Sequence, residues 1–522
     1  MSEQGQSRGV EPETDEARVA SEGADAVAGP TGARPSRRGF LVAGAGAAFL
    51  AGFSERLFAQ VGWSAAATTS VDPNLWFLVD RVTNGWTPNE WAHALTLGYD
   101  GYLHEQLLAT SSADPGLVPI LSGLTTLPLT SKQLFDQYVA TGQTSVVVNE
   151  LQTAAVLRAV HSRAQLHERM VEFWTDHFNV DHADERVQYF KTTEDRDVIR
   201  RNALGNFRGL LVADAKSAAM LHYLDNYRNF ATAPNENYGR ELLELHTLGV
   251  GNYTEADVAN VARCLTGWQY WGTTFANHGE FRFNAAQHDN GTKVVLGNTI
   301  APGGVTDGER LMEILATHPA TAQFLARKLC RWFLSYAPPQ GVVDRVAATF
   351  LSSGGDLSST VAQVLSRRSL EATTSTSQLK IKRPFHFVCS VVRATNPTLT
   401  QPVRLVAELA TMGQQPFRWP APNGYPDSAE AWGSVLLPRW NFVARYFGNS
   451  LAGVTVDVAT IFAGVPKSGL AAHASRILTG DRLSAAEVAA VQAYADSFPT
   501  LNNALRREVL ALSCSTPTFQ TY

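Results

Sequence analysis

Apolar residues recur along most of this chain at the three-and-four spacing of one helix face. The clearest case is residues 165–180, where Met170, Val171, Phe173, Trp174 and Phe178 fall on one side together with His167 and His177. The same spacing predicts helices over residues 131–160, 192–214, 216–224, 307–315, 320–336 and 342–350. Residues 72–108 read as two helices around the turn Asn84-Gly85-Trp86-Thr87-Pro88, with Thr87 capping a helix that starts at Pro88 and carries Glu90 at its third position. Thr254 and Asp257 mark another start, and Pro319 after His318 a third. Strand character is confined to residues 275–300, where Phe281-Arg282-Phe283 and Lys293-Val294-Val295-Leu296 are predicted to pair across a polar turn at His288-Asp289-Asn290-Gly291. Residues 111–130 and the proline-dense residues 416–427 read as loops. The predicted fold is mainly α: a large multi-helix globular body with one small β-hairpin insertion.

One helix departs from the pattern. Within residues 235–249 the wheel places Glu236, Asn237, Arg240, Glu241 and Glu244 inside roughly 140° of arc. Leu242, Leu243, Leu245 and His246 take the other side, and Gly249 and Gly251 end the helix. Three carboxylates, one amide and one guanidinium thus share a face. If that face is exposed, it is a solvated face; if buried, it needs counter-charges, protons or a cation.

The first 35 residues have no apolar periodicity and are expected to be disordered. Ser36-Arg37-Arg38-Gly39-Phe40-Leu41 then precedes an apolar run of only about 13 residues, against roughly 20 needed to span a bilayer. A twin arginine before a short, weakly apolar segment has the form of a twin-arginine export signal. Residues 1–67 are therefore assigned to a disordered start plus signal. Residues 68–522 form one large helical domain, with an internal boundary placed near residues 370–380. The protein is expected outside the cytoplasm, periplasmic or extracellular, without a transmembrane anchor after cleavage. Lysine replacing both Arg37 and Arg38 is expected to retain the precursor in the cytoplasm, as cell fractionation would show; normal export of that variant would refute the assignment.

Composition narrows the function. A net charge of −5, from 43 basic and 48 acidic residues, argues against nucleic acid as a partner. Cys264, Cys330, Cys389 and Cys514 form no Cys-x-x-Cys pair, which argues against a cysteine-rich metal centre. Cys264 and Cys330 lie in apolar helical patterns and read as buried free thiols. The sequence lacks Gly-x-Ser-x-Gly, a phosphate loop, a dinucleotide fingerprint and His-Glu-x-x-His.

Several segments together carry a family resemblance: Phe173-Trp174, His177-Phe178-Asn179-Val180, residues 203–207, residues 235–249, Leu265-Thr266-Gly267-Trp268, His288-Asp289, His318-Pro319-Ala320-Thr321-Ala322 and Pro422-Asn423-Gly424-Tyr425-Pro426-Asp427. On these the mature chain resembles the bacterial domain-of-unknown-function 1800 family over nearly its whole length. Leu78-Val79-Asp80 stands where many members carry a histidine, so no role for that histidine carries over. The resemblance implies bacterial origin, export, and often a neighbouring exported protein that looks like the sulfatase and phosphatase fold.

Two function classes follow. The first is an exported hydrolase-like enzyme, metal-assisted or acid/base, with its pocket at the 235–249 helix. Its catalytic candidates are His177, Glu241, Glu244 and His288. A divalent cation there would take Asn237, Glu241 and Glu244 as ligands; His246 falls roughly 140° or more from Glu241 and Glu244 and does not join them. The second class is a non-catalytic helical scaffold or partner of another exported protein, with Arg240 and the carboxylates locked in an ion-pair network with Arg200, Arg201 or Arg263.

Overall fold

The structure, a computed structural model, describes residues 72–183, 186–374 and 379–522. The export segment and residues 1–67 as a whole lie outside the described residues. So do residues 375–378, within the stretch where the internal boundary is expected.

The helix starts form as their local chemistry dictates. Asp72 accepts from the Asn74 amide at 2.9 Å to cap the Pro73–Val82 helix. Thr87 Oγ1 accepts from the Glu90 amide at 3.0 Å to start Pro88–Leu108, which bends at Gly98 (φ +68°). Thr254 and Asp257 close a reciprocal capping box on Glu255–Cys264. His318 caps Pro319–Phe333 through Nδ1, which accepts from the Ala320 amide at 3.1 Å.

The chain is mainly α-helical, with three two-stranded antiparallel sheets among the described residues. The hairpin differs from the sequence expectation. Lys293–Val295 turns back at once onto Asn298–Ile300, because Leu296 (φ +49°) and Gly297 (φ +76°) make the two-residue turn with positive φ that suits a tight hairpin. Phe281–Phe283 pairs instead with Trp268–Tyr270, which leaves the preceding helix end at Gly267 (φ +76°). Two local pairings thus replace one longer one.

Buried apolar side chains form two clusters. One spans Leu75 to Leu370; the other runs from Phe385 to Phe519 and recruits Val156, Ala159 and Val160. The Thr144–His161 helix therefore serves both. The Gln165–His177 helix follows it and is buried along most of its length. All four cysteines are buried and unbridged. No helix among the described residues is long and apolar enough to cross a membrane.

Candidate functional site

The 235–249 segment is helical in two parts. Asn235 accepts from the Asn237 amide at 3.0 Å, and Glu236–Glu241 follows as α-helix. Leu242–Thr247 is then wound as a π-helix: the Leu248 amide reaches Leu243 O at 2.8 Å, and Thr247 Oγ1 donates to Leu242 O at 2.6 Å. This wider winding changes the register that a 100° wheel assumes, and π segments occur often at functional sites.

The charged face is largely a solvated one. Glu236 and Asn237 are exposed; Arg240, Glu241 and Glu244 are half-buried. Arg240 makes a two-point pair with Glu255 at 2.8 and 2.7 Å and lies 3.6 Å from Glu236. Among the described residues, no ion pair joins Glu236, Glu241 or Glu244 to Arg200, Arg201 or Arg263. Arg263 pairs with Asp289 at 2.7 Å, and Arg200 pairs with Glu168 at 2.9 Å and Asp195 at 2.7 Å. Glu244 accepts from the Tyr253 hydroxyl at 2.7 Å, and the Asn237 amide donates to Leu224 O at 3.2 Å. Partial burial and then the neighbouring Glu244 raise the Glu241 carboxyl above its usual range.

His288 is buried elsewhere in a closed set. Its Nδ1 lies 2.8 Å from Thr266 O, its Nε2 lies 3.0 Å from Asp307 Oδ2, and Lys293 reaches the same carboxylate at 2.5 Å. Among the described residues, no group of three or more His, Cys, Asp or Glu side chains is placed to hold a metal ion. Glu241 and Glu244 are therefore not completed into a ligand set by His177 or His288.

Of the four catalytic candidates, His177 lines a cleft. It ends the Gln165–His177 helix at 1 % exposure, on the apolar side, with its ring 6.0 Å from Phe173 and 5.2 Å from Trp174. Its Nε2 is 3.0 Å from the carbonyl of His246, in the π segment. A carbonyl only accepts, so Nε2 carries the proton and Nδ1 presents a lone pair. Lys328, on the Pro319–Phe333 helix, donates to that lone pair at 2.9 Å. Burial, then the neighbouring Lys328 ammonium, holds His177 well below the ordinary imidazole range. Burial likewise lowers the Lys328 ammonium to about 8; Asp176 opposes that shift and Arg331 adds to it.

Both side chains face an open cleft of about 200 Å³ that Asp176, Arg331, Arg383 and Asp427 also line. Residues 419–427 form one wall. Asn179 Nδ2 donates to Trp419 O at 2.9 Å and Ala421 O at 2.7 Å, and Lys380 binds both oxygens of Asp427 at 2.8 and 2.9 Å. A second, narrow cavity of about 50 Å³ shares Asp176, Arg383 and Tyr425 with the first and reaches Glu168 and Phe385. Arg383 donates to Asp176 at 2.6 Å. Burial nevertheless raises the Asp176 carboxyl to about 6.

Sequence reasoning did not single out Lys328, Arg331, Lys380 and Arg383. The signals were present: Lys328 and Arg331 are spaced i, i+3 on an amphipathic helix, and Lys380-Ile381-Lys382-Arg383 is a basic run. Either pattern is also that of an ordinary solvated surface. The loop 422–427 was visible as a motif, but not its position against residue 176.

Comparison with known proteins adds a family and no activity. The family model described as protein of unknown function DUF1800 matches residues 77–521, and the chain belongs to that family. No curated protein and no solved structure matches the chain.

Proposed function

We propose that this DUF1800 protein is an exported enzyme of acid/base, hydrolase-like type, whose chemistry takes place in the cleft at the end of the Gln165–His177 helix. The observation that carries the reading is the Lys328–His177 pair, 2.9 Å apart on the cleft wall, with the ammonium lowered to about 8. An amine that titrates near neutral pH exchanges a proton with substrate far more readily than an ordinary lysine. In this reading Lys328 is the group that takes and returns the proton. His177 positions it: the bond to His246 O fixes the imidazole tautomer, so Nδ1 always accepts from Lys328. The 235–249 segment thus supports the site through its backbone carbonyl, and Glu241 and Glu244 stay on its outer face.

The test measures the titration of Lys328 directly. Competitive acylation across pH 6–11, read by mass spectrometry, is expected to give a midpoint near 8 for Lys328. Asp176→Asn removes the charge that holds the ammonium up and is expected to lower that midpoint further. On any ester the protein turns over, Lys328→Met is expected to cost about 10²-fold or more in kcat. A Lys328 that titrates like a free lysine would overturn the reading.

A further inference from the structure

The cleft is positively charged beyond what its own carboxylates neutralise. Each carboxylate on its wall already has a cation: Asp427 is held by Lys380 on both oxygens, and Asp176 by Arg383 at 2.6 Å. Lys328 and Arg331 line the same space, and among the described residues neither is paired with a carboxylate. The Lys328 ammonium is bonded to the neutral His177, and Arg331 Nη2 donates to a backbone carbonyl, that of Asp427, at 2.8 Å.

Donors remain as well as charge. Arg331 Nε is buried without a hydrogen-bond partner among the described residues. Arg383 is 4 % exposed and lines both cavities, yet its Nε and Nη1 also lack partners there. Its guanidinium is held over the Trp332 ring at 5.0 Å, so its direction is fixed by packing. A buried guanidinium left with unsatisfied N–H groups is costly unless something accepts from them. Two uncompensated positive charges and spare N–H groups on two guanidinium groups complement a group with two negative charges and several acceptor oxygens.

We infer that the cleft binds a doubly charged oxyanion, a sulfate or phosphate group carried by its substrate, between Lys328, Arg331 and Arg383. This deepens the proposed function, since it rests on the same cleft and gives Lys328 a substrate to face. In that arrangement Arg331 and Arg383 hold the oxygens, and Lys328 lies between the anion and His177. The substrate's leaving group or nucleophile would then sit within reach of the ammonium.

Inorganic sulfate and inorganic phosphate are the probes, titrated calorimetrically into the full-length folded protein at pH 7 and low ionic strength. Saturable binding of one or both dianions is expected, at least about tenfold tighter than acetate. Arg331→Gln and Lys328→Gln are each expected to weaken it about tenfold or more, the cost of losing a charged hydrogen bond. Arg476→Gln removes one exposed charge elsewhere and is expected to change it less than about twofold. If the cleft variants fail to fold, native protein gives the same answer: saturating sulfate should slow acylation of Lys328 about tenfold and leave Lys467 unaffected. Phosphate binding without sulfate binding, or the reverse, assigns the source of the anion. The inference is overturned by no saturable binding up to about 10 mM, by acetate binding as well as the dianions, or by cleft variants that bind like the native protein. Its failure is separable from that of the acid/base reading. Absent sulfate and phosphate binding with Lys328 titrating near 8 removes only the anion; binding with Lys328 titrating as a free lysine removes only the proton-transfer role.

Discussion

Replacing Gly424 with alanine is expected to cost about 3 kcal/mol or more of stability and to abolish anion binding in the cleft. Gly424 has φ +71°, and a Cβ there would lie 2.0 Å from the carbonyl oxygen of Asp176 and 2.7 Å from its carbon. Both are backbone atoms in the last turn of the Gln165–His177 helix, so no side-chain rotation relieves the overlap. The loop cannot easily withdraw either. Asn179 grips it through Trp419 O and Ala421 O, Arg331 and Lys380 hold Asp427, and Trp432 Nε1 donates to Pro426 O at 2.8 Å. The clash must displace either the loop or the helix end that carries Asp176 and His177. A control separates this overlap from the general cost of an alanine at positive φ. Gly464 has φ +73° with nothing within 4 Å of the added methyl, and Gly464→Ala is expected to cost only about 1–2 kcal/mol. Denaturant unfolding of the two variants checks the difference; equal losses would show that the loop does not press on residue 176.

The helices were legible because their signals are local. Thr87, Thr254 and His318 sit at the starts that the sequence indicates, and the apolar face of residues 165–180 is the buried face. The strands were half legible. Phe281–Phe283 and Lys293–Val295 are extended as expected, but their partners depended on a turn with positive φ at Leu296, a residue type that gives no warning of it.

The candidate site was legible at one residue. His177 was marked by its place on an apolar face near a helix end, and it is buried against the carbonyl of His246. The carboxylates of the 235–249 helix drew attention because a wheel shows their crowding, but a wheel says nothing of depth. Their face is open to solvent, with Arg240 beside Glu236 and the Tyr253 hydroxyl on Glu244. Lys328, Arg383 and Asp427 come from three distant stretches of chain and meet only through the packing of those stretches around the cleft. No spacing within any one of those stretches encodes that meeting.

Acid is expected to destabilise the protein well above the ordinary carboxylate range, and His246 supplies a large, separable share. Its ring is fully buried beside Phe178 at 5.1 Å, and among the described residues neither ring nitrogen has a partner. Burial, helped by the neighbouring Lys328 charge, lowers it to about 3. An unfolded histidine titrates near 6.5. Because the folded value is the lower one, the unfolded chain binds more protons everywhere between the two values. The stability that depends on His246 is therefore complete above about pH 6.5 and is lost as pH falls towards 3. At pH 4.5 the loss amounts to about 2.7 kcal/mol, two pH units at about 1.36 kcal/mol each. His177 and His386 are shifted in the same direction by burial and add to the slope. His246→Leu is close in volume and removes a proton site as well as two unsatisfied nitrogens, so its stability at pH 7.5 is expected to stay within about 1.5 kcal/mol of the native protein. Between pH 7.5 and 4.5, however, it should lose about 2–3 kcal/mol less than the native protein does. Urea unfolding at the two pH values measures both numbers. Parallel pH profiles for the variant and the native protein would show that His246 reaches water or a partner in the folded state.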